Sequence, residues 1–152
     1  MKSEKLAPLI FVLTALSVSG IGWLTRFSLP ISRQLGRALG GATFLLSMGA
    51  FAWIVIYIRE AFLGEVAPVT DCLIKNGPYR RIRHPLYLSM IVTLLGITMA
   101  FRSLWGIFAV FVLFLPAVVY RAKLEEEALA QKFGQSWDVY VANTSFFIPW
   151  LW

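Results

Sequence analysis

The sequence predicts an all-α integral membrane protein with about four transmembrane helices, the last two forming a tight helical hairpin. A cytoplasmic C-terminal helix and tail follow. Composition is the first observation: of 152 residues, 59% are hydrophobic and 14% charged, and mean hydropathy is +0.72. Soluble domains run near half apolar and about a quarter charged. So few charges could not cover so much apolar surface in a soluble globule, and disorder is excluded because there is ample side chain to bury. The second observation is that the apolar residues gather in four stretches close to the roughly 20 residues a bilayer-crossing helix needs. These are continuous runs, not the alternating strands of a membrane barrel. The length fits one domain, 1–152, with two N-terminal spans in 1–58 and most of the polar chemistry in 59–152.

The first stretch runs from Leu6 to Leu24. Lys2, Lys5 and the small residues Ser17-Val18-Ser19-Gly20 resemble a secretory signal. The apolar run continues through Ile21, Trp23 and Leu24, which favours a membrane span. Pro8 falls in its first turn, where a missing N–H costs little. The second stretch is Leu39 to Ile58, and Gly36, Gly40 and Ser47 supply small residues for helix packing. A long polar connection, Arg59 to His84, precedes the third stretch, Pro85 to Phe101. Only Arg102 and Ser103 separate this from the fourth, Leu104 to Tyr120, which makes the pair an antiparallel hairpin. Pro116 is placed to kink the fourth span. Beyond it, Arg121 to Phe133 reads as a continuing helix that stops at Gly134.

Charge placement orients the chain. Lys2, Lys5, Arg59, Lys75, Arg80, Arg81, Arg83, Arg121, Lys123 and Lys132 fall on one side of a four-span arrangement. Arg26, Arg33, Arg37 and Arg102 fall on the other. The positive-inside rule then puts both termini, the Arg59–His84 loop and the tail in the cytoplasm. The expected setting is a multi-pass protein of a prokaryotic inner membrane. The net charge of +6 is accounted for by topology and anionic headgroups, so no nucleic-acid partner is expected. Trp23, Trp53, Trp105, Trp150 and Trp152 lie near predicted helix ends or in the tail and suit interfacial anchoring. A single cysteine, Cys72, and a single histidine, His84, leave no soft-ligand cluster, so no metal site is expected.

Polar chemistry collects in two cytoplasmic segments. The first, Gly77-Pro78-Tyr79-Arg80-Arg81-Ile82-Arg83-His84-Pro85-Leu86-Tyr87, leads directly into the third span. Gly77-Pro78 is a turn signal and Pro85 suits the first turn of a helix, whose free N–H groups favour an anion. Its plainer reading is a basic anchor on lipid phosphates. The second segment contains Glu125, Glu126 and Glu127. Arg121 with Glu125, and Lys123 with Glu127, are four apart and suit pairs on a solvated face. Glu126 instead has Ala122 and Ala130 at that spacing, a small-residue stripe with room for another helix or a ligand. The tight hairpin returns both segments to one rim, so Arg83, His84 and Tyr87 should meet Glu125 and Glu126. Ionisable clusters at a membrane are costly and point to function.

The pattern G-P-Y-R-x-x-R-H-P-x-Y, a hydrophobic hairpin, then E-E-x-x-L-x-x-x-F-G and a terminal I-P resembles the isoprenylcysteine carboxyl methyltransferase and phospholipid methyltransferase family. The likeness covers Val69 to Trp152. It implies an S-adenosyl-L-methionine-dependent methyltransferase whose cofactor sits at the cytoplasmic rim. The acceptor would be a membrane lipid or a lipidated or small apolar molecule, such as a prenylcysteine-like carboxylate or a phospholipid amine. On this resemblance 59–152 is the cofactor-binding catalytic region. Tyr79, His84, Pro85, Tyr87, Glu125 and Glu126 are the expected cofactor-binding residues, and Arg83, Arg121 and Glu125 the expected catalytic ones. Ser89 stands where the family often has Gly, Trp137 where Tyr is common, and Thr144-Ser145-Phe146-Phe147 where a basic residue often precedes I-P. These departures bear on the acceptor more than on the cofactor. In-line methyl transfer depends heavily on placement and needs no metal or covalent nucleophile. An amine or thiol acceptor would need His84 or a glutamate as base. Two alternatives stand beside this reading: an NADPH-dependent membrane reductase related to sterol reductases, and a non-enzymatic tetraspan lipid-binding protein.

Overall fold

The computed structural model describes residues 13–14, 16–18, 20–21, 28–58 and 73–148. Most of the predicted first span, with Trp23 and Arg26, lies outside the described residues, as do Arg59 to Cys72, Trp150 and Trp152. The described chain is mostly helical, with no strand and only two isolated bridges.

Helix α1 (Arg33–Tyr57) starts two turns before the predicted second span, because Ser32 caps it by accepting the Leu35 N–H at 3.1 Å. It buries Gly36, Gly40, Ser47 and Ile54 and packs chiefly on α2 (Pro85–Ala100). Gly40 and Gly96 bring the two backbones into contact. A Cβ on Gly40 would lie 2.3 Å from Ala100 N, and one on Gly96 2.7 Å from Phe44 N. Deeper in the same interface Thr93 Oγ1 donates to Ser47 Oγ at 2.9 Å. Small residues and a hydroxyl pair are what helix association uses where hydrophobic transfer between helices gains nothing.

A 3₁₀ turn (Gly77–Arg80) precedes α2, and Gly77 holds a φ of 60° with the Tyr57 ring where a Cβ would stand. Pro85 opens α2 in its first turn. At the far end Arg102 turns the chain with a φ of 57°, a left-handed conformation that a non-glycine residue adopts only when held there. Leu29 holds it: Leu29 N–H donates to the Arg102 carbonyl at 2.7 Å, and Arg102 Nη2 donates back to the Leu29 carbonyl at 2.8 Å.

Helix α3 (Leu104–Phe133) is 30 residues long and begins at a Ser103 cap. The kink expected at Pro116 takes the form of a π segment, Val110–Phe114, in which Leu115 N–H reaches back to the Val110 carbonyl. Pro116 has no N–H for the Val112 carbonyl and its ring crowds that carbonyl, so the turn widens just before it. Gly106, Val110, Phe114, Val118 and Ala122 all face inward. A four-residue spacing would drift about 40° per step in an unbroken α-helix, and the wider turn takes up part of the drift. The core joins Val18, Tyr87, Ile91, Leu94, Ala109, Val110, Phe114, Val118 and Ala122.

Helices α1 and α3 are long and apolar enough to cross a membrane, while α2 is a shorter apolar helix of 16 residues. Helix α3 stops at Gly134, whose φ of 50° starts α4 (Gln135–Ala142). Trp137 and Tyr140 are buried there, their rings 5.5 Å apart.

Candidate functional site

Two turns of structure converge at the end where α2 begins and the polar part of α3 passes. Pro85 fixes the start of α2 and is itself buried, so His84 and Tyr87 are set on its first turn and both are buried. Beyond Tyr120, α3 leaves its apolar stretch and presents Arg121, Glu125 and Glu126 on successive turns toward them. The side chains form two linked sets. In the first, Arg83 Nε donates to Glu126 Oε1 at 2.7 Å, and His84 Nε2 meets the same oxygen at 3.1 Å. In the second, Tyr87 OH donates to Glu125 Oε1 at 3.0 Å and accepts from Arg121 Nε at 2.9 Å. His84 bridges the sets, its Nδ1 standing 3.9 Å from Glu125 Oε2.

The structure therefore brings together Arg83, His84, Pro85, Tyr87, Arg121, Glu125 and Glu126. The solvated i,i+4 pairing expected for Arg121 gives way to a different arrangement. Arg121 is buried, and its Nε is taken by Tyr87 from the neighbouring helix. Lys123 and Glu127 are both exposed. Tyr79 joins through its main chain, its carbonyl accepting from Tyr140 OH at 2.8 Å. Burial and then the Glu125 charge push the Tyr79 phenol well above its usual range.

The adjacent carboxylates have opposite environments. Burial raises Glu125, and the nearby His84, the Tyr87 hydrogen bond and Arg121 only partly offset it. Burial acts on Glu126 in the same direction, but hydrogen bonds from His84 and Arg83, with their charges, outweigh it and leave Glu126 below the ordinary glutamate range. Both side-chain contacts of Glu126 fall on Oε1. Its side chain remains 22% exposed, so Oε2 is a free acceptor among the described residues. Tyr140, buried beside this pair, is pushed up to about 12.

Sequence reasoning missed the tail. Residues 143–148 turn back under the loop, where Arg83 N–H donates to the Ser145 carbonyl at 2.8 Å and His84 N–H to the Phe146 carbonyl at 3.2 Å. Ser145 N–H donates to Arg81 at 3.0 Å, and Ile82 and Ser145 form a parallel bridge. The Phe146 ring lies 4.7 Å from the His84 imidazole and the Phe147 ring 6.3 Å from it. The sequence signals here were the terminal I-P and the Thr144-Ser145-Phe146-Phe147 departure before it, neither of which gives the fold of the tail.

The sequence pattern of the phospholipid methyltransferase family matches residues 35–136. The chain belongs to the phospholipid methyltransferase family. The match runs from the first turn of α1 into α4, so it contains both converging segments and ends before the tail. No individual curated protein matches the chain. Phospholipid methyltransferases act on lipid in a membrane, in agreement with the two membrane-length helices of this one.

Proposed function

We propose that the chain is an S-adenosyl-L-methionine-dependent methyltransferase acting at the cytoplasmic rim of a four-span membrane domain. The acceptor is a lipidic or small apolar molecule. The observation that carries this reading is the pair of carboxylates held side by side in unlike environments, one with a free oxygen, at the end of apolar helices. The donor set suits the cofactor. Glu126 Oε2 offers an ionised acceptor to an ammonium or ribose hydroxyl, and His84, Tyr87 and Arg121 are the buried polar groups beside it. When bound, the cofactor supplies an electrophilic sulfonium methyl. The protein's share is orientation and, for an amine acceptor, removal of a proton, for which the raised Glu125 is suited.

Isothermal titration in lipid nanodiscs tests this with S-adenosylmethionine, its demethylated product and NADPH. We expect the first two to bind, with or without a chelator present. Glu126→Gln should weaken binding by about 1.5–3 kcal/mol, roughly tenfold to a hundredfold, the scale of a charge-assisted hydrogen bond. Glu127→Gln, on the exposed side of the helix, should change it little. Equal effects at both positions would remove Glu126 from the site. Binding of NADPH alone would favour a reductase, and binding of neither a lipid-binding role.

A further inference from the structure

We infer that Arg83 is a positioning residue: its guanidinium latches the C-terminal segment to Glu126, so closure of the tail and orientation of that carboxylate are one event. This rests on the cofactor reading of Glu126 given above. Its support is where the donors of Arg83 go. Nε is spent on Glu126 at 2.7 Å, while Nη1 donates to the Val141 carbonyl at 3.2 Å and to the Thr144 carbonyl. The backbone N–H of Arg83 adds a bond to Ser145, and that of His84 a bond to Phe146. The guanidinium carbon also stands 5.8 Å from the centre of the Phe146 ring, the ring that covers His84.

One planar group thus spans a helix carboxylate and two carbonyls of a segment far along the chain. The fork geometry of arginine makes that span feasible, whereas an ammonium is a point charge with a different reach. The side chain is only 12% exposed, and Nε and Nη1 are both committed to the latch. Val141 to Phe146 lie beyond the matched residues 35–136.

The discriminating variant is Arg83→Lys, which keeps the charge and removes the fork. Hydrogen exchange at the amides of Arg83, His84 and Ser145, which all bond between loop and tail, reads the latch directly. We expect exchange there to quicken by about tenfold or more in Arg83→Lys, and affinity for S-adenosylhomocysteine to fall by about tenfold, the scale of a lost charged hydrogen bond. Phe146→Ala loosens the latch from the tail side without altering either member of the Arg83–Glu126 pair. Combined with Arg83→Lys it should weaken binding no further than Arg83→Lys alone, because both act through one closure. Unchanged exchange with near-normal affinity in Arg83→Lys would overturn the latch in favour of a simple charge contact with the ligand. Additive losses in the double variant would overturn it as well. Should the wild type bind no S-adenosylhomocysteine, the cofactor reading fails, and the exchange comparison still decides the latch.

Discussion

Glu125 and Glu126 are neighbours in sequence with opposite electrostatic fates, and pH separates them. Glu126 is held below its ordinary range in the folded protein, so its stabilising contribution is present above the unfolded glutamate range and is lost as pH falls through that lowered value. Glu125 is raised, so folding favours its protonated form, and stability is lost as pH rises through the raised value. Thermal unfolding in nanodiscs should therefore show Glu125→Gln more stable than wild type at pH 8, with the Tyr87 hydrogen bond kept by the amide oxygen. Glu126→Gln should be less stable by about 1.5–3 kcal/mol at that pH, from its charged hydrogen bonds. Both differences should shrink in acid below the glutamate range. The opposite order at pH 8 would show that the two environments are misassigned. Little of this was legible in the sequence. The lack of a cationic partner four residues from Glu126 set it apart from Glu127, and in the structure Glu126 meets Arg83 and His84 while Glu127 is exposed. Arg121 and Glu125 satisfy the same i,i+4 rule as Lys123 and Glu127, yet one cation is buried against Tyr87 and the other exposed. Local spacing holds no record of which helix lies opposite.

Helix boundaries followed local chemistry closely where a residue's own backbone preference decides them. Pro85 opens α2, Gly134 ends α3 and Ser103 caps α3. Hydropathy placed the start of α1 too late, since the polar residues Arg33, Gln34 and Arg37 hide a helix whose cap at Ser32 sets the true start. The π segment was not legible beyond a kink at Pro116, because widening a turn depends on which side must face the core. The return of the tail was illegible for another reason: its bonds to Arg81, Arg83 and His84 are main-chain bonds that any residue type can make. Small residues carried more information. Gly40 and Gly41 are adjacent in α1, but a Cβ on Gly40 meets the α2 backbone and one on Gly41 meets nothing within 4 Å. Gly40→Ala should cost about 1–3 kcal/mol through overpacking against atoms that cannot yield. Gly41→Ala should be neutral or gain up to about 1 kcal/mol of helix propensity. Unfolding of the two variants in the same nanodiscs checks this, and equal stabilities would mean that the helices do not touch there.

At the scale of the whole molecule, the apolar helices run between two polar ends, with the Arg102 turn at one and the carboxylate site at the other. The composition and the four apolar stretches announced a membrane protein, and the structure supplies two helices of membrane length with a shorter third between them. That shortness has a physical outcome. In the four-span arrangement we propose, the stretch from His84 to Arg102 covers about 27 Å at the α-helical rise, less than the roughly 30 Å of a typical hydrocarbon core. Arg83 and His84 cannot withdraw further along α2, because the tail ties their backbone, and Arg102 is tied to Leu29. The lipid must yield instead, thinning around α2 so that headgroups are drawn toward the site. Turnover should accordingly be faster in nanodiscs of shorter-chain lipids than of longer-chain ones with the same headgroup, and a rate indifferent to chain length would count against α2 as a spanning helix. On that arrangement the protein would select its membrane by thickness: where the bilayer is thin, lipid headgroups already lie level with the carboxylates.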